Sequence, residues 1–69
     1  MNESFLESSP GASKVYELVS ELKKYQEYLA KLDGLYEKRM VREEVYNRLR
    51  EQYVKKIQEL REKISELSS

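Results

Sequence analysis

The sequence predicts an all-α protein: an antiparallel two-helix hairpin, coiled-coil-like in its packing, that dimerises into a four-helix bundle. Two rows of apolar residues recur at gaps of three and four, the spacing of a helix that packs lengthwise against another helix. A largely charged stretch, residues 38–44, separates the two rows. The first row consists of Val15, Leu18, Leu22, Tyr25, Leu29, Leu32 and Tyr36, and the second of Tyr46, Leu49, Tyr53, Ile57, Leu60, Ile64 and Leu67.

Residues 1–9 are predicted to form a flexible N-terminal tail, because they are polar, Ser-rich and without sustained periodicity. Phe5 and Leu6 are the exception, and docking of these two residues against an apolar end of the bundle is the alternative. The hairpin should occupy residues 10–69. Its first helix is expected over about 10–38, since Ser9 followed by Pro10 is a typical helix start, with Ser as N-cap and Pro in the first helical position.

The second helix is expected over about 42–67. Its apolar residues follow one another at gaps of 3, 4, 4, 3, 4 and 3. The first gap of three and the two gaps of four that follow it make an eleven-residue step from Tyr46 to Ile57, which locally relaxes a left-handed supercoil.

A continuous rod is the alternative to the hairpin, because the heptad pattern stays in phase through the middle of the chain. In a rod, however, three charged residues would lie on the seam: Arg39, Glu43 and Arg50. Gly34 would also lie in the interior of a helix, where it costs about 1 kcal/mol relative to Ala. Folding the chain near residues 38–41 moves the three charges to the tip or the outside, which favours the hairpin.

The hairpin pairs the two seams antiparallel in one consistent register, centred on Tyr25 and Tyr53. The predicted facing pairs are Val15 with Ile64, Leu18 with Leu60, Leu22 with Ile57, Tyr25 with Tyr53, Leu29 with Leu49, and Leu32 with Tyr46. These twelve residues form the predicted helix-packing interface.

A spaced pattern over residues 32–49 supports the folded form. The pattern consists of Leu32, Leu35, Tyr36, Val41, Glu44, Tyr46 and Leu49. It resembles the short helical-hairpin modules of the SHOCT type, and this resemblance implies two helices joined by a small loop. The chain departs from those modules at Arg39, where they usually have Gly, and at Arg42, where they usually have Ser or Thr. Both departures favour a continued helix.

Composition excludes most chemistry. The 69 residues contain no Cys and no His, so thiol chemistry, disulfides and the usual zinc ligands are absent. No glycine-rich loop is present, and the expectation is therefore no enzyme activity, no catalytic residue, no cofactor and no metal. Net charge is zero and no long apolar run occurs, so neither a membrane nor nucleic acid is strongly favoured, and the expected location is the cytoplasm. The richness in Glu and Lys fits a thermophilic prokaryote, but is equally typical of exposed helices.

The predicted function is a non-catalytic protein–protein interaction or oligomerisation module that acts through helical packing. Two helices bury one stripe each, which leaves too little core for a stable 69-residue domain. The partner is expected to be a second copy of the chain, a larger protein, or both. A second interface is predicted from the residues that flank the seams: Tyr16, Val19, Tyr28, Leu35, Val45 and Val54.

The alternative function is an accessory subunit of a nucleic-acid-processing complex, with a basic hairpin tip placed near phosphate. Residues 38–50 hold five bases and two acids, and a hairpin would present Lys38, Arg39 and Arg42 together at its tip. A simpler interpretation is a solvated turn whose bases suit the negative end of the first helix. Three bases alone offer too few phosphate contacts for strong binding.

Overall fold

The protein is an antiparallel hairpin of two α-helices, which confirms the predicted hairpin and rules out the continuous rod. A computed structural model describes residues 10–68, with side chains described from residue 13 onward. Helix α1 spans Pro10–Glu37 and helix α2 spans Glu43–Ser68. The predicted tail over residues 1–9, including Phe5, Leu6 and the Ser9 cap, lies outside the described residues.

The hairpin turn ends α1 with a Schellman motif built around Arg39. The Arg39 amide donates to the Tyr36 carbonyl and the Met40 amide donates to the Leu35 carbonyl, both at 2.9 Å. These two bonds satisfy carbonyls that the end of a helix leaves unpaired. Arg39 has a φ of 60°, in the left-handed region that costs a residue with a Cβ about 1 kcal/mol. Helix α1 therefore ends at Glu37 and the chain turns at Arg39, although arginine is poorly suited to a positive φ.

Helix α2 begins without a capping side chain. Arg42 occupies the N-cap position, where its carbonyl accepts the Tyr46 amide at 2.9 Å and closes the first turn. An arginine side chain offers no acceptor to the free amides, and its charge lies at the positive end of the helix dipole. Glu43 and Glu44 in the first turn partly offset this charge. Arg42, the second position at which the chain departs from the SHOCT-type pattern, therefore does not prevent α2 from beginning here.

The core is a thin layer between the two helices. Leu18 and Leu32 of α1 are each 5% exposed, and Ile57 and Leu60 of α2 are 8% and 2% exposed. The other eight residues of the predicted helix-packing interface are half-buried: Val15, Leu22, Tyr25, Leu29, Tyr46, Leu49, Tyr53 and Ile64. The seam thus lies between the helices, but it remains open along both edges.

The charged residues that argued against a rod lie away from this seam. Arg39, Glu43 and Arg50 are all exposed. Folding the chain at the tip moves them from core positions to solvent, as predicted. Within residues 10–68, neither helix is long and apolar enough to cross a membrane.

Candidate interaction surfaces

Three tyrosine rings form a cluster at the middle of the hairpin. The rings of Tyr25 and Tyr53 lie 6.1 Å apart across the two helices, in agreement with the predicted register. Tyr28, one turn after Tyr25, adds edge-to-face contact with Tyr25 at 5.7 Å and a tilted contact with Tyr53 at 5.8 Å. Tyr28 is nevertheless 40% exposed. The cluster therefore stabilises the helix pair and also presents an aromatic surface to solvent.

A second pair of rings lies near the tip and was not predicted. The rings of Tyr36 and Tyr46 stack at 4.0 Å with planes only 14° apart. The Tyr46 hydroxyl donates a hydrogen bond to Asp33 Oδ1 at 2.7 Å, and the Tyr36 hydroxyl makes a longer one to Glu43 Oε1 at 3.5 Å. The predicted register paired Tyr46 with Leu32, but its ring partner is Tyr36, one helical turn further along. These contacts fix how the helices meet next to the turn.

The pairing with Asp33 changes the titration of Tyr46. The hydrogen bond to the Asp33 carboxylate raises the pKa of Tyr46 above its ordinary value, with smaller raising effects from burial and from the negative charge of Asp33. Arg50 acts in the opposite direction and lowers it. The neutral phenol is therefore the form that the folded hairpin favours.

This shift predicts an alkaline loss of stability. Because the folded pKa of Tyr46 lies above the unfolded one, its stabilisation is fully present below about pH 10 and is lost as the pH rises through the folded pKa. We expect the free energy of unfolding to fall more steeply with pH above 10 in the wild type than in Tyr46→Phe. Urea titrations followed by circular dichroism at several pH values measure this difference. Equal slopes in the two proteins would contradict it.

One side of the hairpin carries an open groove with a mixed polar lining. It has a volume of about 380 Å³. Its lining consists of Gln26, Leu29, Ala30 and Asp33 of α1 and Val54, Ile57, Gln58 and Arg61 of α2. We call this side the groove face. Its lining combines the charged side chains of Asp33 and Arg61 with the apolar side chains of Leu29, Val54 and Ile57.

The opposite side carries the tyrosine cluster, and we call it the tyrosine face. Tyr28 and Leu35 each follow a groove residue, Gln26 or Asp33, by two positions, and two positions are more than half a helical turn. Tyr28 and Leu35 therefore lie across the seam from the groove. On α2, Leu49 and Val45 precede Val54 by five and nine positions, which also places them on the side of the helix away from Val54. The tyrosine face consists of Tyr25, Tyr28, Leu35, Val45, Leu49 and Tyr53. Leu35, like Tyr28, is about two-fifths exposed, at 41%.

The structure divides the predicted second interface between these surfaces. Tyr28, Leu35 and Val45 belong to the tyrosine face. Val54 lines the groove face, and Val19 lies on that side too, seven residues before Gln26. Tyr16 is 76% exposed and lies at the outer edge of the groove side, two heptads before Ala30. A list of flanking residues could not show which side each one occupies, because that depends on the direction of the partner helix.

The basic tip is exposed as a unit. Lys38, Arg39 and Arg42 are all exposed, and Met40 between them is 70% exposed. No hydrogen bond or ion pair joins the three basic side chains to another described residue. The sequence analysis predicted the three bases at the tip but assigned no role to Met40, which belongs to neither seam.

Within the described part of the chain, no group of three or more acidic side chains is arranged to hold a metal ion. Comparison with models of protein families, with curated proteins and with solved structures found no match to this chain. The resemblance of residues 32–49 to SHOCT-type modules therefore stays a prediction.

Proposed function

We propose that this chain is a non-catalytic interaction module that self-associates through the tyrosine face, most simply as two hairpins in an antiparallel four-helix bundle. The observation that carries the proposal is the incomplete core: only Leu18, Leu32, Ile57 and Leu60 are buried among residues 13–68. Stable domains bury their apolar surface between at least two layers of secondary structure, and one hairpin is a single layer. A second hairpin supplies the missing layer.

The tyrosine face suits this role better than the groove face. Exposed aromatic and aliphatic side chains are enriched at the centres of protein interfaces, whereas charged residues are depleted there. Tyr28 and Leu35 are 40% and 41% exposed, so each has apolar surface left to bury. The groove face carries Asp33 and Arg61, whose charges would lose water on burial. The tyrosine face also has a charged neighbour, since Lys24 Nζ lies 5.9 Å from the centre of the Tyr25 ring, and this cation–π contact can stay at the rim of an interface.

The side of the hairpin that carries the tyrosine face is large enough for a stable dimer. Helix α1 has 28 residues and so is about 42 Å long. Two adjacent helices are about 20 Å wide, so the whole side of the hairpin that carries the tyrosine face offers about 800 Å² per partner, the usual area of a specific interface. A two-fold axis across the face would bring the tyrosine cluster of one hairpin near that of its partner.

Substitution on the tyrosine face tests the proposal. We expect Tyr28→Glu to convert a dimer into a monomer, because it places a carboxylate at the centre of an apolar interface. Sedimentation equilibrium measures the mass, and circular dichroism confirms that the helices remain. Tyr16→Glu is the matched control, since it makes the same chemical change on α1 at a residue that is 76% exposed.

Two results would overturn the proposal. One is a wild-type chain that sediments as a monomer and melts cooperatively by itself. The other is a dimer that Tyr28→Glu and Tyr16→Glu dissociate equally. That result would show that a negative charge anywhere on α1 disrupts the dimer and that the tyrosine face is not its interface.

A further inference from the structure

Two residues at the tip of the hairpin, three positions apart, are unfavourable for the turn that they form. Arg39 has a φ of 60° at the position after a helix end that glycine usually fills. Arg42 stands at an N-cap, where Ser, Thr, Asp or Asn would satisfy free amides. Both arginines are exposed. Both residue types are unfavourable at these positions, and Arg39 also has a strained backbone. Unfavourable residues of this kind point to a role other than stability.

The third unusual residue of the tip is Met40. It is 70% exposed, more than any other large apolar residue of the described chain except Tyr16. Methionine is flexible and polarisable, and it is common on surfaces that adapt to a partner. The tip therefore combines a mobile apolar side chain with three unpaired positive charges in five consecutive residues, Lys38 to Arg42.

We propose that this tip docks an acidic protein segment that carries an apolar side chain. The bases would attract the carboxylates of the partner, and Met40 would bury the apolar side chain between them. Nucleic acid is the competing occupant, since the three bases would attract its phosphates as well as carboxylates. A regular phosphate backbone, however, offers no apolar group for Met40 to contact.

The tip remains accessible in the proposed bundle. The tyrosine face lies on one side of the helices, over residues 25–35 and 45–53, whereas residues 38–42 form the connection beyond their ends. Docking at the tip is therefore a second contact that goes beyond self-association, and it does not need the dimer. Its failure and the failure of dimerisation are measured separately.

The test is a nuclear magnetic resonance titration of the full chain with three probes at low salt. The probes are a peptide that repeats Glu-Glu-Leu, polyglutamate of equal charge, and a short DNA duplex. We expect the Glu-Glu-Leu peptide to shift the amide signals of residues 38–42 and to bind more tightly than either other probe. The double variant Arg39→Gly/Arg42→Ser should weaken this binding by about tenfold while raising the thermal midpoint, since both changes improve the turn.

Two control variants separate the tip from general effects. Lys55→Ser/Lys63→Ser removes the same charge from exposed positions of α2, and should leave peptide binding within about twofold. Gly34→Ala should raise the thermal midpoint as well, because an added Cβ meets nothing within 4 Å and Ala favours the helix. Gly34→Ala should leave peptide binding unchanged. Weaker binding by Arg39→Gly/Arg42→Ser could then be attributed to the lost arginines and not to the higher stability of that variant.

Several outcomes would overturn the proposal. They are the absence of shifts at the tip with the Glu-Glu-Leu peptide, equal binding of polyglutamate, tighter binding of DNA, and binding that survives Arg39→Gly/Arg42→Ser. Equal losses from the Lys55/Lys63 control would have the same consequence. A stabilised turn with unchanged binding would mean that the arginines serve no docking role.

Discussion

Leu60→Ala is expected to lower the free energy of unfolding by about 2–4 kcal/mol, which is a large share of the stability of a small domain. Leu60 is 2% exposed, the most buried side chain described. Truncation removes its apolar contacts and leaves a cavity in a core that is one layer thick. The four buried residues have few neighbours that could move in to fill it.

Urea denaturation followed by circular dichroism, at one fixed protein concentration, measures this loss. Leu67→Ala is the matched control on the same helix, because Leu67 is 48% exposed although it continues the same apolar row. We expect the control to lose less than about 1 kcal/mol. Equal losses in the two variants would show that Leu60 is not part of a buried core.

Tyr53→Ala is expected to lower the free energy of unfolding by about 2 kcal/mol, because Tyr53 is the residue of α2 that belongs to the tyrosine cluster. Its ring contacts both Tyr25 and Tyr28, at 6.1 and 5.8 Å, and pairs of aromatic rings contribute about 0.5–1.5 kcal/mol each beyond the area they bury. The substitution removes both pairs at once. Since Tyr53 is only half-buried, the loss should be smaller than for a fully enclosed ring.

Tyr16→Ala is the control for this prediction, as the same change at a residue 76% exposed. We expect its effect to stay within about 0.5 kcal/mol, because no ring contacts are lost and Ala favours the helix slightly. Thermal and urea unfolding of both variants provide the comparison. A Tyr53→Ala variant as stable as Tyr16→Ala would contradict a stabilising role for the cluster.

Periodicity alone predicted the two helices and their pairing. The heptad rows placed Tyr25 opposite Tyr53, and those rings are in contact. The bounds were also close, with helices expected over about 10–38 and 42–67 and found at Pro10–Glu37 and Glu43–Ser68. This part could be predicted because the face of a helix depends only on residue spacing.

The contacts near the tip could not be predicted in the same way. Tyr36 and Tyr46 were assigned to the seam, but their stacking and the Tyr46 hydrogen bond to Asp33 depend on side-chain rotamers and on the exact crossing of the helices. Asp33 lies just beside the seam and had no assigned role. Likewise, the separation of Val54 from Tyr28 onto opposite faces depends on where the partner helix lies.

The sequence by itself determined two amphipathic helices and an antiparallel register, because apolar spacing dictates which face each helix must bury. Only the tertiary structure decided that the chain turns at Arg39 and restarts after Arg42, where local preference favoured a continued helix. The physical reason is that the free energy gained by apolar burial exceeds the cost of an unfavourable turn. Burying a large apolar side chain contributes about 1.5–3 kcal/mol, and the hairpin buries four of them, whereas the poor turn and the missing cap cost about 1 kcal/mol each.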